Sequence, residues 1–146
     1  MARIEALIAG HGQDEALERA HAYKEAGADA ILIHSRRSTA DEILAFARSW
    51  DNRHLPLIIV PTKYYRTPVD VYREANISVA TWANHAMRAS VVAMRDVCRR
   101  IIDEQGIAGV ESQVATLDEV FGLLRYAELA AAERKYLPSH ANGEGS

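Results

Sequence analysis

Four stretches of the chain carry side chains able to bind or transform a small molecule. In Gly27-Ala28-Asp29-Ala30-Ile31-Leu32-Ile33-His34-Ser35 an imidazole and a hydroxyl directly follow an apolar run, and Arg36 and Arg37 come next. Val60-Pro61-Thr62-Lys63-Tyr64-Tyr65 closes another apolar run with a hydroxyl, an ammonium and two phenols. Trp82-Ala83-Asn84-His85 precedes Arg88, and Ala2-Arg3-Ile4-Glu5 sets a guanidinium two residues from a carboxylate. Arginine and lysine supply charge for oxyanions, and histidine supplies a proton that moves near neutral pH. The set suits a small anionic ligand and names no reaction. Each group also has a plainer use: His34 orienting a loop, Arg36 and Arg37 as the solvated start of a loop, Asn84 capping the helix after it. Glu5 needs a partner if it points inward. Spacing alone leaves these uses open.

What positions these groups is an alternation of short apolar runs with helical patterns. Residues Ile4–Ala9 read as a first strand, ending in Gly10-His11-Gly12. A helix follows over about 14–26, with Ala16, Leu17, Ala20 and Tyr23 on one stripe and Gly27 as its left-handed cap. The run Ile31-Leu32-Ile33 does not alternate with polar residues, which suits a strand covered on both faces of a parallel sheet. Thr39-Ala40-Asp41-Glu42 has the capping-box pattern and opens a helix closed by Trp50. Leu57–Val60 reads as a third strand. Thr67 then caps a short helix with Pro68 in its first turn, and Ser78–Trp82 reads as a fourth strand.

The longest helix, about 86–104, keeps Val91, Met94, Val97, Cys98 and Ile101 on one stripe. Cys98 therefore reads as a small buried hydrophobe rather than a nucleophile. A second capping box, Thr116-Leu117-Asp118-Glu119, opens a fifth helix reaching about Lys135. Four βα units and an extra helix imply an α/β fold with right-handed parallel crossovers. Such units build an open doubly wound sheet or half of an eight-stranded barrel. In either, ligands bind at the carboxyl ends of the strands, where His34 stands. Arg3, at the start of the run Ile4–Ala9, falls by position on the wrong side of that sheet.

Composition narrows the classes. The 146 residues are 49% hydrophobic, enough for one domain with a real core. Charges are interspersed and sum to -3, with no basic stripe for nucleic acid or an anionic membrane. The single cysteine excludes an internal disulfide framework and suits a reducing cytosol. No window approaches the ~18 apolar residues of a membrane span, and the first residues lack a signal-peptide pattern, so a cytoplasmic protein is expected. Gly10-His11-Gly12 lacks the third glycine of a dinucleotide fingerprint. No His/Cys/Asp/Glu cluster has metal-ligand spacing, and no Ser/His/Asp set stands out.

Several of these motifs, in one order, carry a resemblance. They are Ala2-Arg3-Ile4-Glu5-Ala6, Ala26–Ser35, Val60–Tyr65, Trp82-Ala83-Asn84-His85 with Arg88-Ala89-Ser90, and Ala132-Glu133 with Lys135-Tyr136-Leu137-Pro138. Together they resemble the phosphoenolpyruvate mutase family of the isocitrate lyase/phosphoenolpyruvate mutase superfamily, over residues 2 to 138. The resemblance implies a (β/α)8 TIM barrel whose last helix is swapped between subunits, in dimers or tetramers. This chain matches strands five to eight. Residues 1–106 would form the (βα)4 half-barrel, 107–138 a C-terminal helical arm, and 139–146 a disordered tail. Arg3 corresponds to the arginine that binds the substrate's phosphoryl and carboxylate oxygens, and His34 to the histidine near the transferring group. Arg3 can face the barrel interior if its strand begins before residue 3 or bends there. Ser35, Pro61, Thr62 and Asn84, at the other strand ends, are the remaining candidate substrate contacts.

The departures from the family pattern matter as much. The family's Mg2+ ligands, its nucleophilic aspartate and its gating loop lie on earlier strands and are expected to be missing from these 146 residues. The isolated chain is then expected to lack mutase activity. A phosphonopyruvate hydrolase is the rival within the class, favoured by Glu5–Gly10 and Asp41–Phe46, while Pro61–Tyr65 and Trp82–His85 favour the mutase. Outside the class stands a non-catalytic half-barrel that pairs with itself or with a separate N-terminal half.

Overall fold

The computed structural model describes residues 1–51 and 54–137. The chain divides into two compact units, one from Met1 to Ala89 and one from Ser90 onward.

The first unit is built on four short parallel strands: β1 (Ala2–Ile4), β2 (Ile31–Ile33), β3 (Leu57–Ile59) and β4 (Val79–Ala80). They pair in chain order, β1-β2-β3-β4, with Ile4 opposite Ile33, Leu32 opposite Ile58, and Ile58 opposite Val79. The parallel α/β class expected from the alternation is what the chain adopts. Between the strands run α1 (Ala6–Ala9), α2 (Gly12–Glu25), α3 (Asp41–Ser49) and α4 (Val69–Glu74). One buried cluster joins alternate strand residues (Ile4, Ile31, Ile33, Leu57, Ile59) to the inner faces of the helices, including Ala16, Ala20, Ile43 and Phe46. Phe46 stacks on Trp50 with ring centroids 6.1 Å apart.

Gly27 ends α2 as expected. With φ at +89°, it lets its own N–H reach the Lys24 carbonyl and the Ala28 N–H reach the Tyr23 carbonyl, which is the Schellman pair.

Three local expectations are corrected. The first strand is Ala2–Ile4, not Ile4–Ala9. The chain turns at Glu5 (φ -101°, ψ 3°), and residues 6–9 coil into one helical turn closed by Gly10 in the left-handed region. That turn buries Ala6 and Leu7 in the cluster, which an extended chain could not do with two consecutive residues on one face. Helix α3 begins at Asp41 with Ala40 in the N-cap position, so no side chain caps it; the Thr39 hydroxyl donates to Asp41 and Glu42 accepts from Ser35 instead. Helix α4 begins at Val69 with Pro68 in the N-cap position, so Thr67 does not cap it.

The helix α5 (His85–Glu104) crosses the division at Ala89, and beyond it lie a 3-10 turn at Glu111–Gln113, α6 (Leu117–Leu123) and α7 (Tyr126–Tyr136). The Thr116/Glu119 capping box is fully formed: Thr116 Oγ1 accepts from the Glu119 N–H at 3.2 Å, and Glu119 Oε2 accepts from the Thr116 N–H at 2.7 Å. The single helix expected to run to about Lys135 is two helices. Arg125 takes a left-handed conformation (φ 57°), and across that break the Phe121 and Tyr126 rings meet edge-on at 5.1 Å.

No residue of α5, α6 or α7 is buried. Cys98 is accordingly exposed, against expectation, because the apolar stripe that carries it has no covering surface in the single chain. The expected tail at 139–146 lies outside the described residues. Among the described residues no helix is long and apolar enough to cross a membrane.

Candidate active site

The register of the sheet sorts its side chains onto two faces, because successive residues of a strand point to opposite sides. Ile4, Ile31, Ile33, Leu57 and Ile59 take the helix-covered face. Arg3, Leu32, Ile58 and Val79 are the matching row on the other face, joined through the pairs Arg3–Leu32, Leu32–Ile58 and Ile58–Val79. Leu32 is buried yet lies outside the helix-side cluster, as this assignment requires. The next residue of that row on β2 is His34, just past the carboxyl end of the strand. Arg3 therefore stands at the carboxyl end of its strand too, because β1 stops at Ile4. The condition under which the guanidinium could face inward is met.

These groups are electrostatically joined. The Arg3 Nε–H donates to Glu5 Oε1. His34 is half-buried, and its Nδ1 is shielded from solvent with no hydrogen-bond partner. Burial lowers its pKa below the ordinary histidine value, the Arg3 charge lowers it further, and the Glu5 carboxylate partly opposes both. The imidazole is thus neutral at pH 7, able to donate from one nitrogen and accept at the other.

Ser35 is fully buried, and its hydroxyl is already engaged. Oγ donates to Glu42 Oε2 at 2.5 Å and accepts from the Arg37 N–H at 3.1 Å. Glu42 Oε1 also accepts from Arg37 Nε at 3.3 Å, and the Glu42 carbonyl accepts from Gln13 Nε2 at 2.7 Å. The loop carrying His34 is thereby clamped to the start of α3 and to α2. Neither Glu42 nor Gln13 is among the candidates that residue type and spacing single out. Glu42 sits three residues after Thr39, the position of a capping-box glutamate, and nothing local reveals that a buried serine claims it.

Pro61 and Thr62 follow the carboxyl end of β3, next to β2 in the sheet. Pro61 is fully buried, and the Thr62 hydroxyl is out of solvent with no partner. Tyr64 is buried, and its desolvated phenol titrates well above the ordinary range; its carbonyl accepts from the Tyr72 hydroxyl at 3.4 Å. Lys63 and Asn84 are exposed, and the Asn84 carbonyl accepts the first-turn N–H of Arg88 at 2.9 Å. The structure brings Arg3, Glu5 and His34 together and pins Ser35 beside them. Among the described residues no contact joins Asn84 to this group.

A cleft of about 670 Å³ opens between the loops that follow β2 and β3, lined by Ser38, Asp41, Lys63, Tyr65 and Arg66 among others. A second, of about 290 Å³, lies at the amino ends of β3 and β4 against Trp50, Leu57 and Ile77. Neither is lined by Arg3 or His34. Among the described residues no group of three or more His, Cys, Asp or Glu side chains could hold a metal ion.

A family model described as phosphoenolpyruvate phosphomutase matches residues 1–102. The chain is 50% identical over 137 residues to a phosphoenolpyruvate phosphomutase of Tetrahymena pyriformis, covering 94% of this chain and 45% of that protein. It is 46% identical over 138 residues to a phosphonopyruvate hydrolase of Variovorax sp., covering 94% and 47% respectively. A crystal structure of the phosphoenolpyruvate phosphomutase from Streptomyces platensis subsp. rosaceus superposes with a TM-score of 0.84 at 35% identity, over 94% of this chain and 47% of that one. The chain spans about half the length of the curated relatives it matches.

Proposed function

The chain belongs to the phosphoenolpyruvate phosphomutase family, and we propose that it supplies the C-terminal half of a cytoplasmic enzyme that interconverts phosphoenolpyruvate and phosphonopyruvate. That reaction breaks an oxygen–phosphorus bond and forms a carbon–phosphorus bond in the same molecule. The observation that carries the reading is the placement of Arg3 and His34 at adjacent strand ends, on the sheet face that the helices leave uncovered. Arg3 would grip phosphoryl or carboxylate oxygens through its planar fork. His34, neutral and poorly solvated, would donate to or accept from the transferring group. Pro61, Thr62 and the pinned Ser35 shape the neighbouring wall, and Asn84 closes the far side.

The Mg2+ implied by the family finds no donor set among the described residues. Its ligands and the phosphoryl-carrying aspartate would come from the part of the family's length that this chain does not span. By this reading residues 1–106 are the half-barrel and 107–138 an arm. The chain then works only when joined to an N-terminal half or assembled as an oligomer, and alone it turns over nothing.

A chimera tests this. This chain replaces the C-terminal half of the Tetrahymena pyriformis relative, and phosphonopyruvate turnover is followed by 31P NMR. The expected product is phosphoenolpyruvate, with Arg3→Ala and His34→Ala each abolishing its formation. A folded chimera that leaves phosphonopyruvate untouched overturns the proposal. Release of inorganic phosphate supports the second reading, a phosphonopyruvate hydrolase, which rests on the 46% identity to the Variovorax protein. A third reading, a non-catalytic half-barrel module, rests on β1 and β4 each pairing on one side only. It predicts a stable self-assembled species, without turnover, in sedimentation analysis.

A further inference from the structure

Arg3 and Glu5 are two residues apart, and the chain turns into α1 at Glu5 rather than continuing the strand. Glu5 leaves the strand at φ -101° and ψ 3°, and its carbonyl accepts the Ala9 N–H at 2.9 Å, so the first turn of α1 fixes where its carboxylate begins. The carboxylate takes the guanidinium by its Nε edge. Arg3's Nη groups carry no hydrogen bond among the described residues. A guanidinium offers five donors in one rigid plane, so tying down one edge aims the others. Both side chains are about half exposed, at 54% and 45%, and an ion pair so open contributes little to stability. Orientation is what such a pair supplies.

We infer that Glu5 is the positioning residue of the anion site: it holds Arg3 by Nε and leaves the Nη fork presented to the substrate's oxyanion, across the strand end from His34. The inference rests on the proposed reading of Arg3 and His34 as substrate contacts, and its geometry stands without it. The carboxylate has a second effect at the same place. Arg3 and Glu5 are charged groups that act on His34, and the adjoining end of β3 presents Pro61 and Thr62, which do not titrate. Glu5 offsets part of the Arg3 field at the imidazole, so one carboxylate sets both the aim of the cation and the proton affinity of its neighbour.

Two measurements test it, and they separate the inference from the proposed reaction. In the chain itself, 15N–1H spectra follow water exchange at Arg3 Nε–H, and imidazole spectra follow the His34 midpoint, assigned by loss of its signals in His34→Asn. Glu5→Ala should speed exchange at Arg3 Nε–H. Glu5→Gln should lower the His34 midpoint, Arg3→Gln should raise it, and Glu5→Asp should keep it near that of the parent. Unchanged exchange and an unchanged midpoint in both Glu5→Ala and Glu5→Gln, with the amide spectrum intact, overturn the inference whatever the enzyme does. If Glu5→Gln fails to fold, Arg3→Gln carries the test, since an unmoved His34 midpoint there removes the electrostatic link. In the chimera, Glu5→Gln should raise KM about tenfold with kcat less affected, the worth of one charged hydrogen bond, and Glu5→Asp should recover part of it. An unaltered KM in an active chimera also overturns the inference, whereas an inert parent chimera counts against the reaction alone.

Discussion

Ser35 Oγ donates to Glu42 Oε2 at 2.5 Å, and this bond ties the residue after His34 to the first turn of α3. The hydroxyl is fully buried, and the carboxylate also receives the Arg37 guanidinium. The Ser35 hydroxyl, the Glu42 carboxylate and the Arg37 N–H and guanidinium are thus joined in one network. A loop held so has few alternative conformations, which is what a strand-end histidine needs in order to be pre-positioned.

Glu42→Ala leaves the buried Ser35 hydroxyl without its acceptor, and Ser35→Ala takes from the part-buried Glu42 carboxylate its shortest bond. Ser35→Ala and Glu42→Ala are each expected to destabilise the first unit by about 1–3 kcal/mol, read from urea denaturation. Both should also broaden or shift the His34 imidazole signals. A double variant that costs no more than either single one would confirm that the two act as a pair.

His34 makes stability depend on pH with a definite sign. Its folded pKa lies below the ordinary value of 6.5, chiefly because it is buried. The unfolded chain then binds the proton more readily, so stability is fully present above about 6.5 and is lost as pH falls from there toward the folded pKa. Urea midpoints at pH 7.5, 6.5 and 5.5 should decline, and His34→Asn should flatten that part of the decline that belongs to this residue. Equal slopes for parent and variant would refute the assignment.

Gly27 is needed for its backbone rather than for space. A Cβ there would meet nothing within 4 Å, yet φ is +89°. Gly27→Ala is expected to cost about 1 kcal/mol through the left-handed conformation alone, measurable as a shifted denaturation midpoint with unchanged slope.

Arg125 offers the opposite experiment. It holds φ at 57° where α6 passes into α7, a conformation glycine adopts without penalty. Its ion pair with Glu128 is exposed and worth little. Arg125→Gly should therefore stabilise the second unit by up to about 1 kcal/mol in a thermal melt; a loss of stability would show that the side chain matters more than the turn.

Which features were legible from residue order follows from where the deciding forces act. Strands β2 and β3 are readable because three consecutive apolar residues flanked by turn formers leave few alternatives. The Gly27 cap and the Thr116/Glu119 box are readable because every partner lies within a few residues. Thr39 and Glu42 show the limit: the same residue types at the same spacing form no cap, since Ala40 holds the N-cap position; the Ser35 hydroxyl donates to the carboxylate and Thr39 to Asp41 at 2.7 Å. The run Ile4–Ala9 was ambiguous for a different reason. Six residues with one charge fit either period, and the choice falls to packing, which places Ala6 and Leu7 together in the core. Of the site, His34 is a candidate from its place at the end of an apolar run, the role of Arg3 comes from the family resemblance, and Glu5's hold on the Arg3 Nε appears only in the structure.

The order of strands in the sheet is also their order in the chain. Each strand therefore docks on the one made just before it, and none has to wait for a distant segment. Ile31 finds its place beside Ala2 after α1 and α2, Leu57 beside Ile31 after α3, and Val79 beside Ile58 after α4. The entropy of closing such loops grows only slowly with their length, so successive additions face similar barriers. A sheet with this wiring can be laid down one unit at a time as a ribosome releases the chain, each βα unit providing the template for the next.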